Sequence, residues 1–205
     1  MKKWLALFLA VLLCVSAGAL ASSDYDLLGI FGDDIYTNEV MGVRCECPGW
    51  DFTPEGDLFA KMGISESMSY DQVRGVMEDG NTHRIMDATS KDYIMNLNVS
   101  VQYSASNMSY YRSRGEKGVL EDVVPYLESS LSKSGFTDIV NSVGEITIGG
   151  KTVPCLSTTM VSSNGFRMYQ KQILLFRGDY MVHVTAISID EDTTDEIFTH
   201  VALLD

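Results

Sequence analysis

The stretch Y-I-M-N-L-N-V-S-V-Q-Y, residues 93–103, constrains the fold more than any other part of the chain. Tyr93, Met95, Leu97, Val99, Val101 and Tyr103 are apolar or aromatic, and Ile94, Asn96, Asn98, Ser100 and Gln102 alternate with them. Successive side chains of a strand point to opposite faces, so this segment reads as a strand with one buried and one largely polar face. A second alternation stands earlier. Met41, Val43, Cys45 and Cys47 fall on one face, Arg44 and Glu46 on the other, and Pro48-Gly49 ends the run.

The remaining elements follow from caps and breakers. Residues 35–38 read as a strand. Thr53-Pro54 opens a short helix to about Met62, and Ser69-Tyr70-Asp71-Gln72 forms a capping box for another. A strand is expected near residues 84–88. Residues 115–134 are spaced as a helix, with Pro125 predicting a kink or a late start. Four strands then follow, at 136–148, 151–161, 166–176 and 180–189, joined by hairpin links at Gly149-Gly150, Ser163-Asn164-Gly165 and Arg177-Gly178-Asp179. Thr193 with Glu196 predicts a last capping box and a helix through Leu204. Helices grouped around consecutive hairpins predict an α+β fold, an antiparallel β-sheet flanked by helices.

The chain opens MKKWLALFLAVLLCVSAGALA. Two lysines, an apolar run and a small-x-small site have the layout of a secretory signal peptide over residues 1–21. The run is shorter than the roughly 20 residues of a membrane span. Leu13 before Cys14 does not suit a lipoprotein signal. Residues 22–34 read as a flexible lead-in and 35–205 as a single domain, secreted or on the exterior of the cell envelope. Without Lys2 and Lys3 the count is 13 basic against 28 acidic residues, a net −15. That balance argues against a nucleic-acid partner, which needs a basic patch, and against anionic membranes.

Cys45, Cys47 and Cys155 remain after the signal, too few for a disulfide-stapled scaffold in a chain of this length. Alternate residues of a strand lie about 6.5 Å apart, near the upper limit for bridging, which disfavours Cys45–Cys47. Three buried free thiols are expected. The alternative is a disulfide from Cys155 to Cys45 or Cys47. A metal centre would need more soft ligands at short spacing than C-x-C supplies.

Here the pattern meets a known one. "DIYTNEVMGVRCECPGWDF" resembles the opening of secreted bacterial proteins with the PsbP/Mog-like fold, and "GKTVPC…GFRMYQKQILLFRGDYMVHVTAISIDEDTTDEIF" is similar to their ending. The likeness covers about residues 35–198. It implies an antiparallel sheet flanked by helices. That family includes a photosystem extrinsic subunit, a Ran-binding nuclear factor and many uncharacterised secreted proteins, so the resemblance implies scaffolding or binding and supplies no catalytic residue.

The catalytic signatures fall short one by one. Gly144 to Thr152 imitates a phosphate loop, but with one residue too many and Val153-Pro154 where a helix should start. Ser130-Leu131-Ser132-Lys133 fits S-x-x-K near the end of a helix rather than at its start, without the partner motifs. His83, His183 and His200 have no G-x-S-x-G elbow to serve. The acidic run 190–196 lacks the glycine and distal glutamate of a calcium loop, and helix capping accounts for it. No motif points to a cofactor.

The expected function is therefore a secreted non-enzymatic binding or scaffolding domain for a protein, a glycan or a small molecule. The alternative is a small extracellular hydrolase whose site is scattered in sequence. Tyr110, Tyr111, Arg112 and Arg114 are the candidate contact residues, since Tyr and Arg are favoured at binding hot spots. Asn96, Asn98, Ser100 and Gln102 form a second polar platform, which a covering helix would occupy.

Overall fold

The structure, a computed structural model, describes residues 27–204. The expected signal peptide lies outside the described residues. Two antiparallel sheets face each other. The smaller has the order β1 (Ile30–Phe31), β2 (Ile35–Asn38), β3 (Val43–Glu46) and β11 (Val201–Leu203). The larger runs β4 (Asp51–Phe52), β5 (Thr82–Thr89), β6 (Met95–Tyr103), β10 (Tyr180–Ile189), β9 (Arg167–Arg177), β8 (Lys151–Val161) and β7 (Thr137–Ile148). Four helices complete the described fold: α1 (Glu55–Lys61), α2 (Tyr70–Met77), α3 (Met108–Lys133) and α4 (Thr194–Phe198).

One core fills the space between the sheets. Val43 and Cys45 of the small sheet, with Cys47 just past the end of β3, join Leu97, Val99 and Val101 of the large sheet in one cluster, all fully buried. Both alternations thus point where their periods place them. Arg44 and Glu46 take the outer side of β3 and pair with each other at 2.9 Å. A second core lies on the opposite face of the large sheet, where α3 packs over β7, β8 and β9. There Val119 and Leu120 of the helix meet Leu156, Leu174 and Met181. Burying one such aliphatic side chain is worth roughly 1.5–3 kcal/mol. The molecule is therefore sheet on sheet, with α3 as a partial third layer.

Several expectations change. Tyr93 is not in the strand. It stands 73% exposed in a turn with φ 62°, set by Asp92, whose carboxylate accepts from Ser90 Oγ at 2.5 Å and from Ile94 N at 3.3 Å. The lead-in is structured from Leu27 onward. Leu28 is fully buried, its carbonyl accepts from Tyr36 Oη at 2.9 Å, and β1 pairs with β2. Leu27 and Leu28 enter the core and Phe31 packs against it, which a solvated leader does not do. The long helix begins at Met108 and breaks at Gly115 (φ 67°, ψ 167°), a left-handed position that glycine tolerates. Pro125, where a kink was expected, is exposed inside the second segment, whose backbone stays helical. The last helix stops at Phe198, and the chain turns into β11 to pair with β3. The Thr193–Glu196 box does not form. Asp192 Oδ1 instead accepts from Thr194 N and Oγ1, at 3.2 and 2.6 Å, and Thr193 Oγ1 is the buried side-chain oxygen without a partner among the described residues. By contrast, the Ser69 box is made, with Ser69 N donating to Gln72 Oε1 at 2.8 Å.

Candidate functional site

Strand register builds the candidate site. On β6 the residues between the core positions point away from the small sheet, and β10 and β9 add their own in the same rows. Ser100 lies opposite His183, which lies opposite Leu174; Asn98 lies opposite Thr185, which lies opposite Gln172. α3 sits over β7, β8 and β9, and the helices that touch β5, β6 and β10 do so from the inter-sheet core, through Leu58, Phe59, Val73, Met77, Ile197 and Phe198, so among the described residues the β5–β6–β10 side of this face carries no helix. A shallow groove of about 390 Å³ results, floored by amides and hydroxyls of β6, β10 and β9. The expected covering helix is thus displaced sideways from the Asn96–Gln102 platform.

Beside the helix the groove continues into an apolar cleft of about 420 Å³. Its wall on α3 includes Tyr111, Val123, Tyr126 and Leu127, and its floor includes Leu156 and Leu174. Gln102, Gln172 and His183 line both spaces and mark the join. A concave site combining an apolar wall with a few convergent polar groups has the usual make-up of a ligand site.

The polar side chains here divide into held and free. Asn96 Nδ2 is shared between Asp87 Oδ1 at 3.0 Å and the Ala88 carbonyl at 3.1 Å, and Asn98 Nδ2 donates to Asn96 Oδ1 at 3.0 Å. Gln102 Nε2 donates to the Gly80 carbonyl at 3.1 Å. Gln172 Nε2 lies 2.8 Å from His183 Nδ1. Ser100, Thr185 and Gln170 line the groove and make no side-chain hydrogen bond to any described residue. Burial pushes the His183 imidazole down to about 4, and it is neutral at physiological pH.

The four residues singled out for contact sit on the first segment of α3. Arg114 grips Asp122 through Nε at 2.9 Å and Nη2 at 2.7 Å, and Tyr110 Oη donates to the same carboxylate at 3.1 Å. The Arg114 guanidinium holds the Asp122 carboxyl below the usual carboxylate range. This cluster ties the two helical segments together across Gly115. Arg112 Nη2 donates to the Gly178 carbonyl at 2.6 Å. Tyr111 stacks on Phe176, 6.5 Å between centroids, and of the four it is the one that lines the cleft.

The other two histidines and the three cysteines stand apart from the groove. His83 meets Asp79 Oδ1 at 2.9 Å, on the core side of the sheet with its register partner Val101. His200 Nδ1 donates to the Glu46 carbonyl at 2.8 Å and packs on Trp50. His183 has an amide where a triad histidine has a carboxylate. Cys45, Cys47 and Cys155 are buried and unbridged, so the alternative disulfide from Cys155 is not formed. Burial raises all three thiols, Cys47 to about 12. No group of three or more His, Cys, Asp or Glu among the described residues is placed to hold a metal ion. Residues 144–152 are the β7–β8 hairpin, with Ile148 opposite Lys151, and make no phosphate loop.

Sequence reasoning reached Asn96, Asn98, Ser100 and Gln102 but not Gln170, Gln172, Thr185 or the join at His183. Their period-two placement on residues 166–189 was the available signal. Which rows they share depends on the pairing of β10 with both β6 and β9.

No protein-family profile and no curated protein matches the chain. Among solved structures, the chain is similar to the solution structure of PsbP from the cyanobacterium Synechocystis sp. PCC 6803, with 9% identity and a TM-score of 0.48 over 90% of this chain and 98% of that one. It is also similar to a protein of unknown function from Pseudomonas aeruginosa, with 15% identity and a TM-score of 0.29 over 53% of this chain and 67% of that one. The α+β architecture stands on the strand order itself.

Proposed function

We propose that this chain is a secreted, non-enzymatic binding domain of the PsbP-like kind, and that it holds its ligand in the groove and cleft beside α3. One observation carries the reading. The helix covers only part of the outer sheet face, and the uncovered part joins free polar groups to an apolar wall at Gln102, Gln172 and His183. The neutral, amide-paired state of His183 suits recognition better than proton transfer, since a general base works best with a pKa near the operating pH. Secretion rests on the N-terminal sequence layout.

The test is a titration of ¹⁵N-labelled protein with a chemically diverse fragment library, followed by amide chemical shifts. Saturable shifts gathered on Gln102, Gln172, His183 and Val123 are the expected result. Shifts scattered over the surface, or gathered on the α1 side of the molecule, would overturn the assignment of the site.

A further inference from the structure

The chemistry of the groove narrows what it takes. Its lining holds one charged side chain, Arg84, placed at the outer strand β5 and already paired with Asp87 at 3.3 Å. The cleft lining holds none. An anionic or cationic ligand would therefore give up part of its hydration on entry and meet no unpaired counter-charge to offset that. The ligand that fits is neutral.

It must also be able to donate and accept at each position. Ser100 and Thr185 offer hydroxyls, and Gln170 offers an unpartnered amide. At the join the pairing of Gln172 with His183 has a consequence independent of tautomer. If the amide N–H donates to Nδ1, an imidazole Nε2–H donor and an amide oxygen acceptor are left. If the pair is reversed, an Nε2 acceptor and an amide donor are left. Either way one donor and one acceptor remain side by side, and a hydroxyl satisfies both.

The third requirement is an apolar face. Tyr126 is 77% exposed on the helix flank over the cleft, with Val123 one turn before it at 39%. A flat aromatic ring beside a row of amides and hydroxyls matches a pyranose, whose C–H face is apolar and whose rim is hydroxyl. An extended peptide fits less well. It binds a sheet by adding to a free edge, and β6 and β10 are each paired on both sides.

Resting on the binding reading above, we infer that the groove is a glycan site, taking a neutral oligosaccharide with its hydroxyls on Gln172, His183, Ser100 and Gln170 and a sugar ring stacked on Tyr126. No covalent step is involved.

The experiment titrates the ¹⁵N-labelled protein with a panel of neutral hexasaccharides: cellohexaose, maltohexaose, chitohexaose and a β-mannan hexamer. Oligogalacturonate of the same length and a neutral peptide run beside them. At least one neutral sugar is expected to move the side-chain amides of Gln170 and Gln172 and the His183 ring saturably. Tyr126→Ala, at a position too exposed to threaten folding, is expected to weaken that sugar about tenfold, as is Gln172→Ala. Groove binding by the oligogalacturonate or the peptide, with every neutral sugar silent, would overturn the glycan inference and leave the binding site standing. Silence at the groove toward all of these and toward the fragment library would overturn both. Sugar binding unchanged by Tyr126→Ala and Gln172→Ala would place it elsewhere and likewise overturn the inference.

Discussion

The neutral state of His183 predicts a specific acid sensitivity. In the unfolded chain this imidazole takes up a proton as pH falls through about 6.5, whereas in the folded protein burial delays uptake to about 4. Between those values the unfolded state binds more protons, so stability from this group is complete above the upper value and falls as pH drops toward the lower. Each pH unit in the window is worth about 1.4 kcal/mol, which gives roughly 3 kcal/mol across it. Many carboxylates also titrate there, so the readout is a difference. His183→Gln removes the titrating group and keeps an amide facing Gln172. In urea unfolding followed by tryptophan fluorescence, wild type should lose about 3 kcal/mol more than the variant between neutral pH and pH about 4, equal to about 1.5 M in midpoint at a slope near 2 kcal/mol/M. Parallel pH curves for the two proteins would refute the reasoning, and so would an NMR titration showing His183 protonating near its ordinary value.

Other consequences follow from the two cores and the thiols. Leu120→Ala, buried between α3 and the sheet, should destabilise by about 2–5 kcal/mol, whereas exposed Tyr126→Ala should stay within about 0.5 kcal/mol, both read by urea midpoint. Asn38 is buried and joins Leu27 O, Tyr36 Oη and Met41 N at 3.1, 3.1 and 2.9 Å. Asn38→Ala should remove roughly 1–3 kcal/mol for each buried group left unpaired, and hydrogen exchange of residues 27–31 should speed up before the rest of the small sheet. Cys45, Cys47 and Cys155 should resist maleimide at neutral pH in the folded protein and all react after denaturation, as peptide mass spectrometry would show. A peptide pair joining Cys155 to Cys45 or Cys47 would contradict the unbridged state.

The parts of this fold that a reader of the sequence could see are those set by local periodicity. The strands β8 and β10 carry their expected bounds, because Gly149-Gly150 and Gly178-Asp179 mark the turns at which they begin. The buried face of β3 is legible for the same reason. What stayed hidden depends on contacts distant in the chain. Residues 201–203 pattern equally well as the end of a helix, and it is the open side of β3 that draws them into a strand. Residues 108–114 are rich in Ser, Tyr and Arg and resemble a loop, yet Met108 and Tyr111 anchor them as helix on the outer sheet core. The site divides in the same way. The polar row of β6 is visible from alternation alone. Its union with Gln170, Gln172 and His183, and the sideways placement of α3 that leaves it open, come from strand register and helix docking across nearly a hundred residues.

Occupancy of the groove in its native setting can be read from the histidines themselves. Diethyl pyrocarbonate modifies neutral imidazole, and His183 stands at the join of groove and cleft while His200 lies on the small-sheet side, packed on Trp50. Modification of each, quantified by mass spectrometry, would be compared between purified protein and protein labelled in its native medium. The binding account predicts that His183 is protected in that medium while His200 reacts equally in both. Equal reactivity of His183 in the two settings would contradict it.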